Sequence, residues 1–240
     1  MKATAVEFRF RVVIIVLLIA LGFWAPWIDW LHLGSRTTAW LWLGFEISRF
    51  GISSATGIEI VIMITIAVAA LAAWLRVWGT AYLGSGVVNN AQMKAGAVLA
   101  DGPYRYVRNP LYLGSWLMVV AISILMPPTG ALFTIVLLAI FHVRLILGEE
   151  AFLTAQLGEP YLAFRRAVPR LFPSLRTQAA SGGRAPRWGR AVLAELMPIG
   201  VLVSFAALSW QYNANLIDRA LLVSFGISLV ARAVLLPQAE

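Results

Sequence analysis

The feature that most constrains this chain is a run of 35 residues, from 109 to 143, that contains no charged side chain. The run is interrupted once, by Pro127-Pro128-Thr129-Gly130, and this break predicts a tight turn between two helices. A helix of roughly 20 apolar residues crosses the ~30 Å of hydrocarbon in a bilayer. The run therefore predicts two membrane helices joined by a short turn.

The composition points the same way. Apolar residues make up 60% of the chain and charged residues 12%, whereas a soluble domain has about 45–50% and about 25%. The net charge of +8 is compatible with nucleic acid as a partner, but in so apolar a chain it indicates cytoplasmic loops instead. The chain has no cysteine, and its two histidines, His32 and His142, lie far apart in sequence, so no His/Cys metal site is predicted.

The remaining uncharged stretches complete the prediction of an all-α, polytopic integral membrane protein with six spans. Segment 38–50 is too short to span the bilayer comfortably, and its tryptophans are typical of an interfacial helix. The predicted spans are 11–31, 57–77, 110–126, 130–148, 191–210 and 216–236.

The distribution of lysine and arginine predicts the orientation. With both termini in the cytoplasm, 16 of the 19 cations lie on the cytoplasmic side, which fits a multi-pass protein of a bacterial-type inner membrane. The two longest polar segments, 78–109 and 145–190, then share the cytoplasmic face. The predicted units are an N-terminal hairpin with the interfacial segment (1–79), a core (80–175), a flexible linker (176–190) and a C-terminal hairpin (191–240).

The segment 102–114, GPYRYVRNPLYLG, is the first candidate site. Gly102-Pro103 signals a turn, and Asn109-Pro110 predicts a capped helix start whose open amides favour anions. The alternative interpretation of the same residues is a membrane belt of tyrosines and arginines beside an ordinary capped helix.

The second candidate follows the fourth predicted span. Glu149 and Glu150 stand where the last turn of a helix prefers cations, so they form either a solvated helix face or a site for a cationic group. His142 lies seven residues before Glu149 and therefore on the same helical face. It either orients a carboxylate or is a buried histidine whose hydrogen bonds are satisfied.

Together, GPYRYVRNPLYLG and EEAFLTAQLGEPYLAFRRAVPRLFP resemble the isoprenylcysteine carboxyl methyltransferase family, which is related to the membrane phospholipid N-methyltransferases. The resemblance covers roughly residues 80–174. It implies an all-helical membrane enzyme that takes S-adenosylmethionine from the cytosol and a lipid-like or prenylated acceptor from the bilayer.

The resemblance also implies site residues. The cofactor's sulfonium suits aromatic faces, its ammonium suits a carboxylate such as Glu149, and its carboxylate suits a helix start. By similarity, the expected cofactor contacts are Asn89, Val98, Leu99, Tyr104, Asn109, Pro110, Leu111, Tyr112 and Glu149.

Two departures from the family pattern bear on the reaction. Asn109 replaces a histidine, and an amide forms hydrogen bonds but does not act as a base. Leu145 occupies the position of a substrate-contacting arginine, so Arg144, one residue earlier, is the expected catalytic and substrate contact, with Tyr161 as a further substrate contact. Arg165 and Arg166 are additional candidates.

The expected acceptor group follows from the apparent lack of a base. A carboxylate needs none, so the sequence favours methylation of a carboxylate. Three alternatives stay open: a phospholipid N-methyltransferase, a membrane reductase that uses a nicotinamide cofactor, and a catalytically inactive relative.

Overall fold

The computed structural model describes residues 2–84, 100–176 and 179–235. Every regular element within these ranges is helical, which confirms the all-α prediction. Short 3₁₀ turns occupy Gly102–Arg105 and Ser209–Gln211. The α-helices, in chain order, are α1 (Ala5–Arg9), α2 (Arg11–Trp24), α3 (Trp27–Leu31), α4 (Ala39–Ser48), α5 (Ser54–Leu83), α6 (Pro110–Ser123), α7 (Pro128–Leu157), α8 (Glu159–Ala167), α9 (Trp188–Ala194), α10 (Leu196–Leu208) and α11 (Ala214–Leu235).

Among the described residues, three helices are long and apolar enough to cross a membrane: Ser54–Leu83, Pro128–Leu157 and Ala214–Val234. They contain or coincide with the predicted spans 57–77, 130–148 and 216–236. Less than half of the apolar stretch of each is buried inside the protein, so the rest is available to lipid.

The other three predicted spans differ from the structure. Helix α2 ends after 14 residues because Ala25 adopts a left-handed conformation (φ 39°) and Pro26 follows it. Helix α6 also has 14 residues, which corresponds to about 21 Å of helix against the ~30 Å of hydrocarbon. The segment 191–210 is divided between α9 and α10, which meet at an angle of 70° beside Glu195. The structure supports three spans, or four if the bent pair forms one, and the six-span topology with cytoplasmic termini remains a prediction.

The turn predicted after the third span is confirmed, and it anchors α4. Helix α6 ends at Ser123 and α7 begins at Pro128. The first backbone amides of α4 bind this turn: Ala39 N donates to the Met126 carbonyl at 2.7 Å, and Trp40 N to the Ile124 carbonyl at 2.8 Å. The predicted interfacial segment 38–50 is therefore a helix docked on the bundle, while its position at a membrane interface stays a prediction.

Helices α5 and α6 approach closely, and Gly114 makes the approach possible. A Cβ at Gly114 would lie 2.8 Å from Cγ of Arg76 and 3.1 Å from the carbonyl oxygen of Ala72. Small residues at such contacts let membrane helices pack backbone to backbone. The Arg76 side chain is thereby laid across α6, where its Nη1 donates to Ser115 Oγ at 2.8 Å.

The same arginine ties the C-terminal helices to the bundle. Arg76 Nε and Nη2 donate to the two carboxylate oxygens of Glu195 at 2.8 and 2.9 Å, and Thr80 Oγ1 donates to Oε1 at 2.6 Å. The Glu195 side chain has no solvent exposure. The chain bends by 70° at Glu195. Pro198 has no N–H to offer the carbonyl of Ala194, four residues earlier, and Arg232 Nη2 donates to this carbonyl at 2.9 Å.

We predict that Glu195→Ala lowers the free energy of unfolding by about 3–5 kcal/mol, because it leaves the Arg76 guanidinium buried without its counter-ion. Chemical unfolding of the detergent-solubilised protein measures the change. The control is Glu159→Ala, which removes an ion pair with Arg166 that is 69% exposed on both sides and should change the stability by less than about 1 kcal/mol. Equal losses for the two variants would contradict the structural role of Glu195.

Candidate active site

The turn that begins the first candidate site is shaped by Gly102. Its φ of +55° is in the left-handed region, and a Cβ there would lie 2.4 Å from the ring of Tyr82. The turn continues as the 3₁₀ segment Gly102–Arg105, which buries Tyr104 against the bundle. Glycine at this position therefore decides where the Tyr104 ring lies.

Asp101, directly before the turn, holds part of the predicted linker. Its carboxylate accepts hydrogen bonds from Ser181 Oγ at 2.5 Å and from the backbone amides of Gly183 and Arg184 at 3.2 Å each. Burial alone would raise the pKa of Asp101, but these hydrogen bonds outweigh it and hold the pKa below the ordinary value. The prediction that 176–190 is flexible stays untested, yet residues 181–184 make defined contacts with the turn.

The far end of the turn is fixed by a buried carboxylate on α7. Glu150 is 3% exposed and pairs with Arg108 at 3.2 Å and with Arg170 at 2.8 Å. Burial lowers the pKa of Arg108 against the opposing charge of Glu150, and the hydrogen bonds to Glu150 raise the pKa of Arg170. Glu150 is thus a structural centre that joins three segments, and of the predicted glutamate pair only Glu149 remains for a ligand.

The two sequence segments of the resemblance meet along their backbones. Arg108 N donates to the Pro169 carbonyl at 2.8 Å, and Ser174 N donates to the Tyr106 carbonyl at 2.9 Å. Asn109 Nδ2 donates to the Arg170 carbonyl at 3.1 Å. Asn109 stands at the N-cap position of α6 and Pro110 opens the helix, as predicted, but the Asn109 side chain makes no capping hydrogen bond.

The start of α6 brings a tyrosine to Glu149. Pro110 is the first residue of α6, and Leu111 packs against Gly79 of α5, where a Cβ would lie 2.7 Å from Leu111 Cδ2. One residue later, the Tyr112 hydroxyl donates to Glu149 Oε2 at 3.0 Å. The amides of Leu111 and Tyr112 belong to the first turn of a helix, which offers donors without intrahelical partners.

His142 lies beside this pair on the same face of α7. Its ring meets the ring of Tyr112 edge to face, with 5.6 Å between centroids. The side chain is 5% exposed, and Nδ1 has no hydrogen-bond partner. The interpretation of His142 as a histidine with satisfied hydrogen bonds is therefore wrong at Nδ1.

Tyr104 supplies a second buried polar atom without a partner. The residue is 7% exposed, and its hydroxyl has no hydrogen-bond partner. Burial raises the pKa of Tyr104 above its ordinary value, the charge of Glu149 raises it further, and Arg76 acts in the opposite direction. The charges of Glu149 on α7 and of the Arg76–Glu195 pair therefore both act on the Tyr104 hydroxyl.

In the structure, the residues predicted to contact the acceptor bind or pack against other parts of the protein. Arg144 pairs with Glu7 of α1, with Nη2 at 2.8 and 3.0 Å from the two carboxylate oxygens. Tyr161 is 5% exposed and packs on Phe164; burial and the charge of Glu150 raise its pKa to about 12. Arg165 Nη1 donates to Thr154 at 3.3 Å while its Nε has no partner.

Some expected contacts cannot be placed, and some important residues were not expected. Asn89, Val98 and Leu99 lie outside the described residues. The Arg76–Glu195 pair was not predicted from sequence. A lone glutamate beside one apolar segment and a lone arginine beside another could have indicated an ion pair between the two helices. Within the described ranges, no group of three His, Asp or Glu side chains could hold a metal ion.

Comparison with known proteins now bears on this geometry. Residues 60–159 match the phospholipid methyltransferase family. The predicted resemblance is confirmed. The matched region contains Arg76, Tyr104, Tyr112 and Glu149. It ends before residues 168–195, several of which form the contacts with this region described above.

One curated relative supports the same resemblance. The protein-S-isoprenylcysteine O-methyltransferase of Schizosaccharomyces pombe is 33% identical over 91 residues, which is 37% of this chain and 38% of the relative. The chain thus aligns with well under half of that relative's length. No solved structure matches the chain.

The hydrogen bonds to Asp101 predict a pH-dependent stability. Because the folded pKa lies below the ordinary 3.8, the stabilisation is present above that value and is lost as the pH falls through the folded pKa. We expect Asp101→Asn to lower the unfolding temperature at pH 7 and the difference from wild type to be smaller at a pH below 3.8.

The matched control is Asp29→Asn, since Asp29 pairs with Arg36 at the surface and is 59% exposed. This variant should match wild type closely at both pH values. A deficit of Asp101→Asn that persisted unchanged at low pH would contradict the assignment to the ionised carboxylate.

Proposed function

We propose that the protein is an S-adenosylmethionine-dependent membrane methyltransferase that acts on a lipid-like or prenylated acceptor. The observation that carries the proposal is the half-buried Glu149 carboxylate, which accepts a hydrogen bond from Tyr112, together with the buried Tyr104 hydroxyl that has no partner. These residues come from three separate elements within the region that matches the phospholipid methyltransferase family. The name of the Schizosaccharomyces pombe relative, an O-methyltransferase, supports the same class of reaction.

The residues present fit the chemistry of this cofactor. Glu149 suits the ammonium group, and the rings of Tyr104 and Tyr112 suit the sulfonium. The open amides at the start of α6, with Asn109, Pro110 and Leu111 around them, suit the carboxylate. The unpartnered Tyr104 hydroxyl offers a donor that costs free energy while it remains unused.

The protein contributes mainly by positioning. S-adenosylmethionine supplies an electrophilic methyl group when bound. The chain's part is to hold the acceptor in line with that methyl group and to keep water away, and positioning of this kind can lower a barrier by about 7–11 kcal/mol. The buried Glu150 cluster and the packed start of α6 keep the contact residues rigid enough for such alignment.

The acceptor would come from the bilayer and the cofactor from the cytoplasm. A carboxylate acceptor remains the first proposal, with Arg144 and Tyr161 as its contacts. Arg144 is held by Glu7, so acceptor binding there would have to displace Glu7 or use the remaining guanidinium donors. The alternative is methylation of a phospholipid amine. His142 favours it, because an imidazole can act as the base that Asn109 cannot provide.

We predict that Glu149→Ala weakens binding of S-adenosylhomocysteine at least about 30-fold, since the ammonium group loses its buried counter-ion. Calorimetry on the purified protein in detergent measures the affinity, and thermal unfolding checks that the variant is folded. Glu159→Ala, which removes an exposed carboxylate on α8, should bind like wild type. Unchanged affinity in Glu149→Ala would contradict the proposed site.

A ligand comparison separates the proposal from the alternatives. Under the methyltransferase proposal, S-adenosylhomocysteine raises the unfolding temperature and NADPH leaves it unchanged. The reverse pattern would favour a nicotinamide-dependent reductase. Stabilisation by neither ligand would favour a relative without cofactor binding.

A further inference from the structure

Two buried polar atoms beside the proposed cofactor residues lack hydrogen-bond partners, His142 Nδ1 and Tyr104 Oη. Both side chains are more than nine-tenths buried. A buried polar atom left unsatisfied costs about 1–3 kcal/mol, and such atoms are rare in native proteins. The proposed cofactor would give the Tyr104 hydroxyl a hydrogen-bond partner, whereas His142 has no role in binding that cofactor.

The position of His142 separates it from the cofactor residues. It precedes Glu149 by seven residues on one face of α7, so it lies about 10 Å further along the helix, away from the polar segments. Leu145 lies between them on that face and is fully buried. Tyr112 spans the interval, with its hydroxyl on Glu149 and its ring edge-to-face with His142.

The arginine side chains near His142 already have carboxylate partners. Arg76 is bound by Glu195, and Arg144 is bound by Glu7. The imidazole therefore faces an apolar, charge-balanced interior in which a single hydrogen bond to a ligand has a large effect on orientation. Ile140 and Val143 on the same helix are exposed, so a ligand of His142 would approach from the lipid-facing side of α7, as a membrane lipid would.

We propose that His142 Nδ1 forms a hydrogen bond with the polar head group of the methyl acceptor and so places it on the bilayer side of Tyr112. This inference rests on the proposed function. The chemistry shared by the possible acceptors is a hydrogen-bonding group on an apolar chain. Toward a carboxylate the imidazole donates from Nδ1. Toward an ammonium group it accepts the proton: the N–H bond breaks, an Nδ1–H bond forms, and the lone pair stays on the amine nitrogen.

The chain has only two histidines, which allows a direct spectroscopic test. The His32→Gln variant removes the exposed one and leaves His142 as the sole histidine signal in protein labelled with ¹⁵N-histidine. The labelled protein is placed in phosphatidylcholine nanodiscs with S-adenosylhomocysteine. Either an N-acetyl S-prenylcysteine or phosphatidylethanolamine is then added as the probe.

We expect the Nδ1 resonance to move with one of the two probes, and the probe that moves it identifies the acceptor group. If S-adenosylhomocysteine binds and neither probe moves the resonance, this inference is overturned while the proposed function stands. If S-adenosylhomocysteine does not bind at all, the proposed function fails, and with it this inference.

Kinetics of matched variants give a second readout. His142→Phe keeps an aromatic ring and removes Nδ1, so we expect the KM for the effective acceptor to rise roughly tenfold with S-adenosylhomocysteine affinity unchanged. His142→Asn places a polar atom near the former Nδ1 and should recover part of the loss. A rise that is equal for acceptor and cofactor in both variants would indicate a merely structural role and would overturn the proposal.

Discussion

The buried carboxylate of Glu150 is the constraint on which the geometry of the site depends. A carboxylate that is 3% exposed is stable only when cations and hydrogen-bond donors surround it. Its partners, Arg108 and Arg170, come from segments 42 and 20 residues away in sequence. Their pairing draws the turn after Gly102 and the segment after α8 onto the end of α7. Glu149, the preceding residue of the helix, is thereby set opposite the start of α6.

The same physical requirement integrates the C-terminal helices. The family match ends at residue 159, yet Glu195 is fully buried against Arg76 and Thr80 of α5. The Arg76 guanidinium also binds Ser115 of α6, one turn from Tyr112. The helices beyond the matched region thus help to hold α5 and α6 together directly beneath the proposed site.

Part of this arrangement could be predicted from sequence. Uncharged apolar stretches predicted the helices, and Pro127-Pro128 predicted the turn, because both are local properties of the chain. The spacing of Tyr104, Tyr112 and Glu149 within two segments gave the resemblance. The end of α2 was missed although Pro26 is a local signal for it, because the residue before a proline is disfavoured in the helical conformation.

The long-range polar contacts could not be predicted. Whether Glu149 or Glu150 faces a ligand depends on which carboxylate is reached by arginines from other segments, and the two residues are equivalent in sequence. Asn109 is a good cap by residue type, but its Nδ2 donates to the distant Arg170 carbonyl and its side chain makes no capping hydrogen bond. The partner of Glu195 lies 119 residues away. In each case the choice is made by packing between distant elements.

The most direct test of the account is an experimental structure of the protein in a lipid bilayer with S-adenosylhomocysteine. We expect density for a nucleoside-bearing ligand beside Tyr104, with its amino group within hydrogen-bond distance of Glu149 and the apolar side of Tyr112 open to lipid. Ligand density at any other place, with the Tyr112–Glu149 pair closed and uncontacted, would contradict it.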